Sequence, residues 1–273
     1  MSGVPTRLLA RVLYATRVVD RAYRRFEGVR RELVLSLASD RLLASYNDLI
    51  YGGSDRYHPD SRRYRAGLHA WEEAAIAAHF PEPPARLLIG GAGGGREAFA
   101  LAERGYRVMA FEPSGLADMM AAACTPGVEV RAFRARYEDL PIVTAMDGTQ
   151  VDLARAEAFD GGILGWGSFS HLVSDQARVT ALRACAALVN GPLLVSFFGW
   201  IRPAEPVEPT GLRRLLLARV GDRRPGSLFS VEEGLFRQLT DEQMREMAAA
   251  AGLEVMALDM HAEWPNAVLG TSR

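Results

Sequence analysis

The stretch from Arg86 to Ser114 constrains the fold more than any other part of this 273-residue chain. Residues 87–89 form a short apolar run, which is typical of a strand buried on both faces. Five of the next six residues are glycine. A helical pattern then runs from Arg96 to Gly105, and a second apolar strand ends at Glu112. This order of strand, glycine turn, helix and strand predicts an α/β fold.

The same stretch predicts a site for the adenosine part of a cofactor. Glycines let the main chain pass close to a ligand because they carry no Cβ. The helix that follows presents free N–H groups and the positive end of its dipole. A carboxylate at the tip of the neighbouring strand, Glu112, can accept hydrogen bonds from both ribose hydroxyls. The structural alternative is a tight turn beside an unrelated surface glutamate.

The glycine spacing separates two classes of cofactor. The dinucleotide pattern G-x-G-x-x-G fails from Gly91 because its last position is Arg96, and it survives only as G-x-G-x-x-A ending at Ala98. The G-x-G-x-G run of Gly91, Gly93 and Gly95 fits better. At these residues the chain resembles the class I S-adenosylmethionine (SAM) dependent methyltransferases, in which such a run follows the first strand.

The resemblance covers about residues 67–270 and implies the fold. We expect a Rossmann-like, doubly wound seven-stranded sheet with an antiparallel last strand. Residues 1–66 would form a helical N-terminal extension and lid, and residues 67–273 a SAM-binding domain with a long irregular insert at about 199–235. The paired strands predicted at the C-terminal end fit this family better than a dinucleotide dehydrogenase.

The resemblance also implies the contacts of the cofactor, SAM. Ten residues are predicted to form them: Gly91, Ala92, Gly93, Gly95, Glu112, Pro113, Tyr137, Glu138, Gly165 and Trp166. Glu112 would hold the ribose, and Tyr137 and Glu138 would lie against the adenine. A helix N-terminus with acids in its first turn explains residues 137–139 equally well. Ile89 and Arg136 occupy positions where the family often has acids.

The loop after the predicted fourth strand, residues 165–172, is the second informative stretch. In open α/β sheets ligands lie beyond the carboxyl ends of the strands, and the resemblance places this loop beside the transferred methyl group. We expect Trp166 to face the positive sulfonium. Ser168 and His171 are the predicted catalytic residues, which would orient or deprotonate the acceptor. A structural role for His171, as a cap or beneath the loop, is equally compatible with the sequence.

Residues 40–65 contain tyrosines at positions 46, 51, 57 and 64, interrupted by glycine and proline. Tyrosine has a flat apolar body and a polar tip, so these side chains suit a lid over a small ligand. Ordinary packing between helices explains them equally well.

Two segments of the chain are rich in arginine, and the sequence does not decide what either of them contacts. Residues 5–38 predict a long amphipathic helix, with a break at Gly28, and up to Arg31 they carry eight arginines against two acids. We favour packing on the body of the protein or on a second subunit of a homodimer over peripheral contact with an anionic membrane. The insert carries arginines that either are solvated or meet an acidic substrate group: Arg213, Arg214, Arg219, Arg223 and Arg224.

Composition limits the remaining functional classes. The net charge of −1 gives no overall attraction to nucleic acid, and no residues have the spacing of metal ligands. Cys124 and Cys185 are predicted to be buried free thiols in a cytoplasmic protein, and the absence of lysine suggests a GC-rich bacterial genome. The sequence therefore favours a SAM-dependent methyltransferase that acts on the oxygen or nitrogen of a small-molecule acceptor, such as a sugar or secondary metabolite. An NAD(P)-dependent oxidoreductase and a non-catalytic SAM-binding module are the alternatives.

Overall fold

The computed structural model of the chain describes residues 6–200 and 227–271. The described residues fall into two compact units, residues 6–39 and residues 40–200 with 227–271. The first unit contains one helix, α1 (Thr6–Leu37). It runs through Gly28 without interruption, so the break predicted there is wrong. The five insert arginines from Arg213 to Arg224 lie outside the described residues.

The second unit alternates helices and strands. Its longer helices are α2 (Asp40–Gly52), α3 (Ala70–His79), α4 (Arg96–Ala102), α5 (Leu116–Ala123), α6 (Asp175–Ala186) and α7 (Asp241–Ala250). Its strands are β1 (Arg86–Gly90), β2 (Arg107–Glu112), β3 (Val130–Arg134), β4 (Ile142–Thr144), β5 (Gln150–Asp152), β6 (Gly161–Leu164), β7 (Leu193–Ser196), β8 (Phe198–Gly199), β9 (Ser227–Ser230), β10 (Gly234–Leu239), β11 (Leu253–Asp259) and β12 (Asn266–Thr271). Short 3₁₀ turns occur at Asp55–Tyr57, Tyr64–Ala66, Tyr137–Asp139, Leu153–Arg155 and Ser168–His171.

Nine strands form one sheet in the order β11-β12-β7-β6-β1-β2-β3-β4-β5. The five central strands, in the order β7-β6-β1-β2-β3, are parallel to one another. Strand β12 is antiparallel to both of its neighbours, β7 and β11. This confirms the predicted doubly wound sheet with an antiparallel last strand. The short hairpin β4–β5 extends the edge beyond β3 and was not indicated by the sequence pattern.

The described end of the predicted insert is regular, contrary to expectation. β9 and β10 form an antiparallel hairpin, and β10 pairs in parallel with β8. This small second sheet follows directly from β7 in the chain. It therefore lies next to the carboxyl end of the main sheet, where it can contribute to a ligand site.

Alternating side chains of β1 enter two apolar cores, one on each face of the main sheet. Leu87 and Ile89 belong to the core that contains residues of α3, α4 and α5. Leu88 belongs to the other core, which contains residues of α6 and α7. Helices therefore cover both faces of the sheet, as parallel strands with crossover connections require.

Local signals in the sequence are also observed. Thr240 and Gln243, three residues apart, form a capping box at the start of α7: the Thr240 hydroxyl accepts from the Gln243 N–H at 3.2 Å, and the Gln243 side chain accepts from the Thr240 N–H at 3.1 Å. Both cysteines are free thiols, but only Cys185 is fully buried, whereas Cys124 is partly exposed. No helix in the described part of the chain is long and apolar enough to cross a bilayer.

Candidate active site

A cavity of about 300 Å³ opens at the carboxyl ends of β1 and β6. The chain leaves β1 toward β2 on one side and meets β6 on the other, so this is the switch point where ligands bind in open α/β sheets. The predicted site residues that line the cavity are Gly91, Ala92, Gly93, Glu112, Pro113, Tyr137, Glu138, Trp166, Ser168 and His171. No set of three or more potential metal ligands is grouped anywhere in residues 6–200 and 227–271.

Two predicted contacts, Gly95 and Gly165, do not line the cavity. Gly95 has φ +95°, and a Cβ there would lie 2.9 Å from Met120 of α5. A Cβ on Gly165 would lie 2.8 Å from the Glu97 carboxylate. The structure therefore gives both glycines a packing role in place of the predicted cofactor contact.

The glycine turn is closed by the protein itself. Each N–H group of residues 92–95 donates to a protein oxygen at 2.9–3.2 Å, so the turn itself offers no free donor to a ligand at these four residues. The free donors were predicted for the helix that follows, from Arg96. Gly94 donates to the Tyr64 hydroxyl at 3.1 Å. At Gly93, where φ is +55°, a Cβ would lie 2.1 Å from that hydroxyl. Glycine is required at positions 93 and 94 because Tyr57, Pro59 and Tyr64 pack directly against them.

Glu112 ends β2 as predicted, and its carboxylate is buried. Oε1 accepts from the Ser114 N–H at 3.1 Å and from the Ser114 hydroxyl at 2.6 Å, and Oε2 accepts from the Gly93 N–H at 3.0 Å. Burial raises the pKa of Glu112, and these three hydrogen bonds counteract that shift. A carboxylate has about four acceptor positions, so one remains for a ligand in the cavity.

Tyr137 and Ser168 form the floor below the glycine turn. Their hydroxyls are 2.9 Å apart, which links the loop after β3 to the loop after β6. The Tyr137 ring is buried edge-on against Phe111, and burial raises its pKa. A Cβ on Gly91 would lie 2.4 Å from the Ser168 Cβ. Both side chains therefore brace the turn, and the Ser168 hydroxyl already has a protein partner.

An acid that the sequence reasoning missed lies near the predicted adenine region. Asp48 of α2 forms an ion pair with Arg136, and both residues line the cavity. Burial raises the pKa of Asp48, while Arg136 lowers it. Arg136 occupies the position where an acid was expected, and Asp48 supplies a carboxylate beside it from a distant part of the chain. No local motif marks Asp48.

A second acid that was missed, Glu97, lies in a buried charged cluster. Arg96 donates two hydrogen bonds to Glu72, at 2.5 and 2.7 Å, and a third to Glu97 at 2.7 Å. Burial raises the pKa of Glu97, and the charge of Arg96 lowers it. Two carboxylates thus share one guanidinium, and Glu97 borders the cavity. A buried excess of negative charge is unfavourable unless it is compensated, so this wall favours a cationic ligand group.

Trp166 borders the cavity in a strained conformation. Its φ is 35°, and it stands between two glycines. Non-glycine residues in this region cost on the order of 1–3 kcal/mol and often occur at functional sites. The guanidinium carbons of Arg63 and Arg96 lie 4.8 and 5.0 Å from the centre of its ring. Because two cations already approach the ring, the predicted contact with the sulfonium receives no support, and Trp166 is retained as a wall of the cavity.

His171 lies at the end of the 3₁₀ turn after β6. Its Nδ1 is 2.9 Å from the carbonyl oxygen of Leu235 and must therefore carry the hydrogen. Its Nε2 lies 2.7 Å from the Tyr51 hydroxyl, which donates to it. Burial lowers the pKa of His171 to about 4. His171 was predicted to offer a free nitrogen to the acceptor. In the structure the Tyr51 hydroxyl covers that nitrogen, so a molecule in the cavity meets Tyr51 first.

Residues 40–65 contribute more side chains to this cavity than their sequence indicated. Tyr51, Tyr57 and Tyr64 line the cavity, whereas Tyr46 packs on Phe229 with ring centres 5.5 Å apart. Residues 40–52 are a regular helix, and its spacing puts the cavity-facing residues on one side. A period of three to four among polar residues of an amphipathic helix was the available signal for this face.

Comparison with solved structures identifies the fold, whereas comparison of the sequence does not. No protein-family model matches the chain, and no curated protein matches its sequence. The methyltransferase CcbJ of Streptomyces caelestis superposes with a TM-score of 0.56 at 18% identity, over 85% of this chain and 99% of that one. The chain has the fold of the class I SAM-dependent methyltransferases.

Two further solved methyltransferases share this fold. The 1,6-didemethyltoxoflavin-N1-methyltransferase of Burkholderia thailandensis, solved with its substrate and S-adenosylhomocysteine (SAH), gives a TM-score of 0.56 at 21% identity, covering 86% of this chain and 92% of that one. A SAM-dependent methyltransferase of Methanosarcina mazei gives 0.53 at 14% identity, covering 76% and 100%. At these identities the likeness concerns the fold, and the reaction has to be argued from the site.

Proposed function

We propose that this chain is a SAM-dependent methyltransferase that transfers a methyl group to the oxygen or nitrogen of a small molecule. The observation that carries the proposal is the buried carboxylate of Glu112. It lies at the end of β2, holds the glycine turn through Gly93 at 3.0 Å, and keeps one acceptor position toward the cavity. This is the position from which an acid can hold the ribose of an adenosine cofactor.

The charges along the cavity fit SAM. The cofactor carries a positive sulfonium and a positive ammonium, and Glu97, which shares the Arg96 guanidinium with Glu72, presents a carboxylate near the end of β6. Asp48, with its partner Arg136, supplies polar groups near the loop after β3. We therefore place the adenosine between Glu112 and Asp48, and the methionine part toward Glu97.

The cavity continues from the glycine turn to Phe198 and Trp264, so an acceptor would lie at that end, beyond the cofactor's methyl group. Methyl transfer is an in-line displacement, and positioning of the two reactants supplies much of the rate. The toxoflavin methyltransferase with the same fold binds 1,6-didemethyltoxoflavin and SAH together, which supports a comparable arrangement here.

The order of strands argues against the dinucleotide alternative. The packing of Gly95 against Met120 weakens both glycine patterns equally, because both contain this residue. The antiparallel pair β11–β12 at the end of the sheet matches the methyltransferase order of strands. No feature of the described chain favours a non-catalytic SAM-binding module over an enzyme.

Calorimetric titration of the full chain tests the proposal. We expect saturable heat with SAM and with SAH, and none with NADH or NADPH. Heat with a nicotinamide cofactor together with no heat from SAM or SAH would contradict it. The cytoplasmic location, the homodimer and the membrane contact through α1 stay predictions. Sedimentation of the full chain with anionic vesicles and its mass in solution test them separately.

A further inference from the structure

Six aromatic rings beyond the cofactor region follow one another in a closed cycle. We define this aromatic collar as Tyr51, Tyr57, Trp166, Trp264, Phe198 and His171. Their successive ring centres are 5.0, 5.6, 6.1, 5.4 and 5.3 Å apart, and the last pair, His171 and Tyr51, closes the cycle at 4.8 Å. All six side chains line the cavity. Aromatic rings pair well, edge or face, with other flat π-systems.

The charges at the collar argue against a cationic occupant. Arg63 approaches the Trp166 ring at 4.8 Å, and Arg56 also lines the cavity at this end. Arg96 lies 5.0 Å from the same ring and is paired with Glu72 and Glu97. The acids that line this end are Glu97, already bound to Arg96, and Glu233. A positively charged acceptor would meet guanidinium groups on the ring that would otherwise attract it. A flat, neutral or anionic molecule fits the collar better.

One polar unit interrupts this apolar wall. The Leu235 carbonyl fixes the hydrogen of His171 on Nδ1, so Nε2 is an acceptor and the Tyr51 hydroxyl is its donor at 2.7 Å. With its hydrogen directed to Nε2, the Tyr51 oxygen keeps two lone pairs. The Tyr57 side chain is a further hydrogen-bond partner of this hydroxyl, which leaves one lone pair to accept a hydrogen from a bound molecule. Asn47 fixes this arrangement, because it bonds to both the N–H and the carbonyl of Leu235, at 2.8 and 2.9 Å.

We propose that the methyl acceptor is a planar aromatic molecule with an acidic hydroxyl, a phenol or enol, and that Tyr51 relays its proton to His171. The inference rests on the proposed function. The acceptor oxygen forms the new bond to the methyl carbon as the bond from that carbon to sulfur breaks, and the sulfur keeps the electron pair and becomes neutral. The acceptor's proton passes to the Tyr51 oxygen as the Tyr51 proton passes to Nε2. The single proton released by the reaction ends on His171.

The weak basicity of His171 selects the kind of hydroxyl. Burial and the positive charge of Arg178 lower its pKa to about 4, while the hydrogen bond to Leu235 counteracts part of this shift. Such a base does not remove a proton from an aliphatic alcohol. A phenol or enol, whose pKa lies near the value of about 10 that tyrosine has in water, loses its proton far more readily as its oxygen is methylated.

A matched panel of acceptors tests the proposal on the full chain with SAM. The panel holds naphthols and hydroxycoumarins of graded acidity, together with the naphthylmethanols, naphthylamines and aminocoumarins of the same ring systems, and mass spectrometry identifies the methylated products. We expect methylation of the aromatic hydroxyls and none of the alcohols or amines. Methylation of only alcohols or amines, or of no compound by a chain that binds SAM, overturns the acceptor class. A chain that fails to bind SAM contradicts the proposed function instead.

The relay is tested with Tyr51→Phe on the accepted phenols. We expect kcat to fall about 100-fold, within the usual range for acid–base catalysis, with KM changed by less than about threefold. The loss should shrink as the phenol becomes more acidic, because an ionised acceptor needs no relay. Tyr46→Phe is the matched control: it is on the same helix, outside the cavity, and its hydroxyl donates to the Val231 carbonyl at 3.0 Å. An unchanged kcat, or an equal loss for every phenol, refutes the relay.

A second measurement needs no variant and protects the test against misfolding of Tyr51→Phe. The kcat of the unaltered chain is compared in H₂O and D₂O for the weakest and the most acidic accepted phenol. We expect a solvent isotope effect for the weakly acidic acceptor and a smaller one for the acidic acceptor. Equal effects for the two acceptors would refute a proton relay in the methyl-transfer step.

Discussion

Replacement of Glu112 by glutamine tests the cofactor site most directly. The change preserves the size and shape of the side chain but removes the negative charge and turns one acceptor oxygen into a donor amide. Three acceptor positions of the carboxylate are occupied by Ser114 and Gly93, so one position is left for the ribose. The free position is on Oε2, which also accepts from the Gly93 N–H. An amide nitrogen in its place loses the charge-assisted hydrogen bond to the cofactor together with the bond to the glycine turn.

The expected loss follows from that count. A hydrogen bond to a charged group contributes about 1.5–3 kcal/mol, which corresponds to a roughly 10- to 150-fold weaker Kd. SAM and SAH should lose the same factor, because both contain the ribose. Isothermal titration with each measures the change. Glu129→Gln, the same replacement at an exposed acid outside the cavity, is the control and should leave both affinities unchanged.

A thermodynamic cycle that combines Glu112→Gln with a deoxyribose analogue of SAH tests whether Glu112 binds the ribose. If Glu112 binds a ribose hydroxyl, removing that hydroxyl should weaken binding to the unaltered chain but barely weaken binding to Glu112→Gln. The thermal midpoint of each variant shows that it is folded. A folded Glu112→Gln variant with the same Kd for SAM as the unaltered chain would remove Glu112 from the cofactor site, and the proposed position of the adenosine with it.

Three further predictions follow from the site. Glu97→Gln should weaken SAM about 10-fold more than SAH if its carboxylate faces the sulfonium, since about 1.4 kcal/mol is a factor of ten; unchanged affinity for both ligands would contradict this. Burial in the folded chain lowers the pKa of His171 from 6.5 to about 4. As the pH falls, His171 is therefore protonated in the unfolded chain before it is protonated in the folded chain. The free energy of unfolding should drop by up to about 3 kcal/mol between pH 6.5 and pH 4. Denaturant titration of His171→Asn should show a flatter profile over that window, and an identical slope would refute the shift. Gly93→Ala should destabilise the chain more than Gly148→Ala, because both have positive φ but only the first Cβ meets Tyr64, at 2.1 Å, whereas nothing lies within 4 Å of the second; equal midpoints in thermal unfolding would contradict the clash.

The fold and half of the candidate site could be predicted because their signals are local. The glycine turn, Glu112 and the loop at Trp166 each follow a strand within a few residues, and the carboxyl ends of parallel strands meet at one edge of the sheet. The order of apolar runs and turns specifies this arrangement. The continuous apolar run at residues 87–89 likewise predicted a strand buried on both faces, and Leu87 and Leu88 enter opposite cores.

The other half depends on contacts between residues that are far apart in the chain. Tyr51 and His171 are 120 residues apart, and Asp48 and Arg136 are 88 residues apart. Periodicity in α2 shows that one face is buried, but it does not show what that face meets. Glu97 escaped notice because an acid in the first turn of a helix is ordinarily explained by the helix dipole.

Glycine spacing was informative and also misleading. It led to the correct fold, yet Gly95 serves the packing of α4 and α5, and the N–H groups of residues 92–95 are occupied by protein acceptors. A sequence shows that a position requires glycine. It does not show whether a ligand or the protein itself approaches that position.

The attachment of α2 through Asn47 has a consequence for how molecules enter and leave. Asn47 is buried and bonds to Leu235 at both its N–H and carbonyl and to the His171 carbonyl at 3.3 Å. An outward movement of α2 would break all three hydrogen bonds at once, so α2 is the fixed side of the entrance to the cavity. The backbone hydrogen bonds given for residues 53–61 run to residues 49–65, which are close in the chain. This segment is therefore the side of the entrance that can move. The rate at which SAH departs should therefore depend on this short stretch, and turnover can be adjusted there without altering the reacting groups.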